Sequence, residues 1–83
     1  MLSKSQIKLV KSLKHKKYRN NYNLFIVEGL KGILEAKKSN FIIEKIIITE
    51  EVYGKYKNQL SKTKIIIASE NQINSISTLK NNF

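Results

Sequence analysis

Apolar residues recur at helical spacing near the start of the chain. Ser3 followed three residues later by Gln6 has the spacing of a capping box, which predicts where a helix begins. The apolar residues of this helix fall on one side, and they are Ile7, Leu9, Val10 and Leu13. The opposite side carries Lys4, Lys8, Lys11 and His15. A straight continuation would place Lys17 inside the apolar face, so the pattern predicts a break near Lys14, followed by a turn or a separate short helix.

A continuous apolar run from Leu24 to Val27 follows. Its length and its β-branched residues predict a central strand that is covered on both faces. Gly29 then gives a sharp entry into a helix that reaches about Lys38. The apolar stripe of this helix consists of Leu30, Ile33, Leu34 and Ala36.

Two isoleucine triplets predict two further strands, one over Ile43–Thr49 and one over Lys64–Ala68. Thr49 is placed to cap a helix between them. The inward side of that helix holds Val52, Tyr53, Tyr56 and Leu60. Ser69 and Gln72 repeat the capping-box spacing. They predict a last helix in which Ile73, Ile76 and Leu79 face inward.

Alternation of helices and strands predicts an α/β fold with three α/β/α layers around a small, mostly parallel sheet. The 83 residues form one domain, over 1–83. An isoleucine-rich open edge would favour association between copies. We therefore expect a segment beyond Phe83 to cover that edge.

The composition is strongly basic, with 16 lysines and arginines against six acidic residues and a formal charge of +10. This balance favours an anionic partner, most often nucleic acid. The alternative is a merely solvated basic surface, because the chain is generally rich in Lys, Asn and Ile. Cysteine is absent, which fits a reducing compartment and predicts a cytoplasmic location. No apolar run has the length of a membrane span or of a signal peptide.

Independent catalysis is not expected, because the usual constellations are missing. The chain has no Asp, and its one histidine, His15, lies among lysines as an expected exposed helix-end residue. These facts exclude a Ser-His-Asp triad, and a zinc site would have to be built from one histidine and scattered glutamates. The three glycines have neither phosphate-loop nor dinucleotide spacing. Glu28 is expected to accept backbone N–H groups of the next helix, or to pair with Arg19, and not to act as a base.

The stretch after the first helix is the candidate RNA-binding site. It holds Lys14, Lys16, Lys17 and Arg19 within six residues. Cations neutralise phosphates, and tyrosine rings stack on unpaired bases. For the cluster of charges we favour RNA contact, whereas for the interleaved Tyr18 and Tyr22 we favour packing in the core.

Several segments match one family pattern in order. They are Ser5-Gln6-Ile7-Lys8, Leu13, Lys17-Tyr18-Arg19, Leu24-Phe25-Ile26-Val27-Glu28-Gly29, then Lys31, Ile33, Glu35 and Ala36, and later Ile46-Ile47-Ile48-Thr49-Glu50 and Ile76-Ser77-Thr78-Leu79-Lys80. Together they resemble the N-terminal substrate-binding domain of the SpoU/TrmH class of RNA 2′-O-ribose methyltransferases. The resemblance implies a fold like that of RNA-binding ribosomal proteins. It also adds Lys31 to the RNA-binding candidates, and assigns Glu28 and Gly29 a structural role where the strand meets the helix.

The resemblance implies that the whole enzyme transfers a methyl group from S-adenosylmethionine to a ribose in rRNA or tRNA. We expect the catalytic methyltransferase domain to be absent from this chain, which then carries no cofactor of its own. Such enzymes often dimerise through the catalytic domain. Their dimerisation therefore does not predict the oligomeric state of this chain. Gly32 departs from the pattern, since a longer side chain is expected there.

Two other functions fit parts of the sequence. One is a free-standing ribosome-associated RNA-binding protein of the same fold. The other is a membrane-surface protein that uses the Lys4, Lys8 and Lys11 side of the first helix. The membrane function is disfavoured, because that helix has no tryptophan or phenylalanine to anchor it.

Overall fold

The computed structural model describes residues 1–60 and 63–77. This part of the chain forms five helices and two strands, with three helices before the first strand and a helix after each strand. In chain order they are α1 (Lys4–Ser12), α2 (Lys16–Tyr22), α3 (Leu30–Lys38), β1 (Ile46–Ile48), α4 (Glu50–Tyr56), β2 (Ile65–Ile67) and α5 (Glu70–Ile76).

The two isoleucine triplets pair in parallel, with α4 as the crossover between them. Ile46 lies opposite Ile65, Ile47 opposite Ile66, and Ile48 opposite Ile67. The ladder is extended at both ends: the Ile46 N–H donates to the Lys64 carbonyl at 2.9 Å, and the Ala68 N–H donates to the Ile48 carbonyl at 2.9 Å. The predicted parallel pairing is therefore confirmed, over shorter strands than the sequence indicated.

Successive side chains of a strand point to opposite faces, and this alternation divides the core into two layers. One layer contains buried Ile46, Ile48 and Leu60, packed against side chains of α3 and α4. The other contains buried Leu2, Ala68 and Ile76, packed against side chains of α1, against Ile73 of α5 and against Ile47 and Ile66 of the sheet. Helices thus cover both faces of the sheet, and the predicted α/β/α class is confirmed.

The predicted caps begin three of the helices. At α1, the Gln6 N–H donates to the Ser3 hydroxyl at 3.1 Å, and the Ser3 N–H donates to the Gln6 side chain at 2.8 Å. Ser69 and Gln72 form the same reciprocal pair at α5. Thr49 accepts from the Val52 N–H at 3.3 Å at α4. Leu79, predicted to face inward from the last helix, lies outside the described residues.

The prediction of a central strand from Leu24 to Val27 is wrong. Among the described residues the sheet has two strands, and this segment belongs to neither of them nor to a helix. Leu24 and Ile26 are partly buried, whereas Phe25 is 54% and Val27 41% exposed. Only one side of the run is covered by the domain. The exposed Phe25 ring instead meets the Phe41 ring edge to face, with 5.1 Å between centroids.

Two glycines shape the entry into α3. Gly29 precedes the helix with φ of +89°, a conformation that side chains disfavour, which confirms the predicted sharp entry. Gly32 lies in the helix against the preceding segment. A Cβ atom there would stand 2.7 Å from the Val27 Cγ1 atom. The missing side chain at Gly32 therefore accommodates Val27.

Candidate nucleic-acid interface

The basic stretch folds as a separate short helix. Helix α1 ends at Ser12, and buried Leu13 caps it. Exposed His15 is the N-cap residue of α2, as expected of a helix-end histidine. The helix stops at Asn23, which adopts the left-handed conformation (φ 57°, ψ 42°) that asparagine tolerates. The predicted break near Lys14 is confirmed, and it sets α2 beside α1.

Arg19 stabilises this break through hydrogen bonds to its backbone. Its Nη1 group donates to the Leu13 carbonyl at 3.0 Å and to the Lys14 carbonyl at 2.9 Å. Carbonyls after the end of a helix lack intrahelical partners, and a cation satisfies them well. Both bonds therefore direct the Arg19 guanidinium to backbone carbonyls at the break. We assign Arg19 a positioning role between α1 and α2.

The three lysines of the stretch face solvent. Lys14, Lys16 and Lys17 are all exposed. The Lys17 ammonium lies 5.8 Å from the centroid of the Tyr18 ring, within the range of a cation–π contact. Lys31 is also exposed, but it lies in the first turn of α3. The structure thus brings three of the predicted cations together on one short segment.

Three rings form a row on α2. Tyr18 is 38% exposed and Tyr22 is 51% exposed, so the prediction that both pack in the core is wrong. The Tyr18 and Tyr22 rings are nearly parallel, at 19°, with centroids 6.4 Å apart. His15 meets Tyr18 at 6.4 Å in an edge orientation. Their spacing of three and four residues places all three rings on one side of the helix. We call these three residues the ring row.

The ring row lines a groove between α1 and α2 with a volume of about 520 Å³. The other lining residues come from α1, and they are Ser5, Lys8, Leu9, Lys11 and Ser12. The sequence had placed Lys8 and Lys11 only on a candidate membrane face. The predicted break near Lys14 could have identified Lys8 and Lys11, because a change of chain direction at that point places the polar side of α1 against α2.

Glu28 has a structural contact at the entry to α3. Its Oε1 atom accepts a hydrogen bond from the Ser77 hydroxyl, which joins residues 49 apart in the sequence. This contact ties the segment before Gly29 to the end of α5.

Over residues 1–60 and 63–77, no group of three or more His, Cys, Asp or Glu side chains could hold a metal ion. No described helix combines the length and apolar character that crossing a membrane requires.

Helices cover both faces of a parallel sheet, and a basic groove lies at one side. These features define a small α/β binding domain. Residues 4–82 match the family model of the MRM3-like substrate binding domain, and the chain belongs to this family. The match confirms the resemblance to the substrate-binding domains of SpoU/TrmH-class RNA methyltransferases. No curated protein and no solved structure is significantly similar to the chain.

Proposed function

We propose that this domain holds rRNA or tRNA for a methyltransferase domain that transfers a methyl group from S-adenosylmethionine to a ribose 2′-hydroxyl in the cytoplasm. The family implies an RNA partner, and the groove between α1 and α2 is the surface that best fits one. The observation that carries the proposal is the pairing of exposed lysines with exposed rings along that groove.

The charge distribution supports this surface. The first 27 residues contain seven of the 16 cations and none of the six glutamates. These seven cations are Lys4, Lys8, Lys11, Lys14, Lys16, Lys17 and Arg19. Since no carboxylate from this segment lies among them, a phosphate backbone is the natural source of counter-charge. The remaining nine cations share their part of the sequence with all six glutamates.

We assign the methyl donor to a separate catalytic domain. The three glycines of this chain lack the spacing of a nucleotide-binding loop, and the groove is lined by cations. We expect titration of the chain with S-adenosylmethionine to give no binding heat. Saturable heat in that calorimetric experiment would contradict this assignment.

The proposed interface is tested by the salt dependence of RNA binding. Five lysines are replaced with glutamine while Arg19 is kept for its positioning role, and they are Lys8, Lys11, Lys14, Lys16 and Lys17. Each phosphate contact on single-stranded RNA contributes roughly −0.7 to the slope of log affinity against log salt, so five contacts give about −3.5. We expect the variant to lose most of this slope and to bind many RNA sequences more weakly.

A matched control removes the same charge elsewhere. Its five exposed lysines, replaced with glutamine, are Lys38, Lys45, Lys55, Lys57 and Lys64. If the interface is correct, the control keeps most of the slope, although its net charge equals that of the groove variant. Equal slopes for the two folded variants would show that binding follows net charge alone, and would exclude the groove.

A further inference from the structure

We infer that the ring row stacks on unpaired bases, so that the groove selects unpaired RNA over duplex RNA. This inference rests on the proposed function and adds the form of RNA that the groove accepts. It assigns base contact to Tyr18 and Tyr22, and phosphate contact to the lysines around them.

The exposure of the rings is the first argument. Tyrosine rings that serve only the core bury most of their area, as Tyr53 and Tyr56 do in the layer formed with α4. Tyr22 is 51% exposed at the end of the row, so much of its surface remains open to a ligand. Every base has a π-face, and stacking on an aromatic side chain requires no particular sequence.

The arrangement of the rings is the second argument. Tyr18 and Tyr22 lie within 19° of parallel, so bases placed on them share nearly one stacking direction. The Lys17 ammonium beside Tyr18 and the edge contact from His15 support that ring. The row is therefore held in place before a ligand arrives, which lowers the cost of ordering it on binding.

The position of the charges is the third argument. Lys8 and Lys11 line the groove from α1, across from the rings of α2. A strand whose bases stack on the rings then keeps its phosphates within reach of ammonium groups. In a duplex the bases are already paired and stacked, and the rings gain no partner. The groove can offer duplex RNA only its charges.

Three RNAs of equal length test the inference: an unstructured single strand, the same strand with abasic residues, and a duplex. Stacking contributes roughly 1–3 kcal/mol per base, so one stacked base gives the wild type about a 5- to 150-fold preference for the base-bearing strand over the abasic strand. Replacing both Tyr18 and Tyr22 with leucine should abolish this preference and leave the salt slope unchanged.

The matched control replaces Phe25 and Phe41 with leucine, because these two exposed rings also contact each other but lie outside the groove. It should keep the full preference. Tyr22→Leu alone serves if the double variant does not fold, and it should reduce the preference. Equal binding of base-bearing and abasic strands by the wild type would overturn the inference. The proposed function would still stand in that case if the lysine variant lost its salt slope, and would fail if it did not.

Discussion

Replacing Leu60 with alanine is expected to destabilise the domain by about 2–5 kcal/mol and to unfold a large part of the population. Leu60 is 1% exposed and packs between the sheet and α4 with Ile46 and Ile48. Truncation removes buried apolar surface and leaves a cavity. A core of this size supplies only about 3–5 kcal/mol of net stability. The free energy lost by this substitution is therefore close to the total free energy of unfolding. Urea denaturation followed by circular dichroism measures the change in the free energy of unfolding.

Ile42 provides the control for this substitution, because it is another aliphatic residue but 90% exposed. Ile42→Ala should change the free energy of unfolding by less than about 0.5 kcal/mol. If Leu60→Ala and Ile42→Ala had equal effects, the packing described for Leu60 would be incorrect.

Replacing Arg19 with glutamine is expected to lower the free energy of unfolding by about 1.5–3 kcal/mol, a loss that no other cation of the basic stretch should produce. The substitution removes the two charged hydrogen bonds to the Leu13 and Lys14 carbonyls. Lys16→Gln on the same helix is the control, since Lys16 is exposed. Thermal or urea unfolding of both variants gives the comparison.

Arg19→Lys separates the positioning role from phosphate contact. Lysine keeps the charge but has a compact ammonium group in place of the arginine fork. We expect this variant to lose stability and to retain the salt slope of RNA binding. If Arg19→Gln kept wild-type stability but reduced the slope by roughly 0.7, Arg19 would be a phosphate contact instead.

The features that were predicted correctly depend on short stretches of sequence. A capping box needs only Ser3 and Gln6, or Ser69 and Gln72, and each pair lies within one helical turn. The isoleucine triplets identified the strands because they are short, β-branched and each preceded by a lysine. The break after α1 followed from one lysine that would have interrupted an apolar face.

The features that were not predicted depend on which other parts of the fold pack against a segment. Leu24–Val27 is apolar throughout, but such a run does not show whether one or both of its sides will be covered. Tyr18 and Tyr22 were assigned to the core, yet α1 leaves their side of α2 open as a groove. The bonds from Arg19 to two carbonyls span the break between helices, and no residue spacing indicates them.

The two isoleucine triplets have a consequence for how the sheet finds its alignment during folding. Sliding β2 by one residue along β1 would still place isoleucine against isoleucine at two of the three positions, so the strands themselves discriminate weakly between alignments. The residues at their ends must therefore decide. A slip in one direction would place the charged Lys64 opposite Ile46, and a slip in the other would move Ala68, now 3% exposed, from its place beside Leu2. The register of the two strands is therefore set by the residues at their ends.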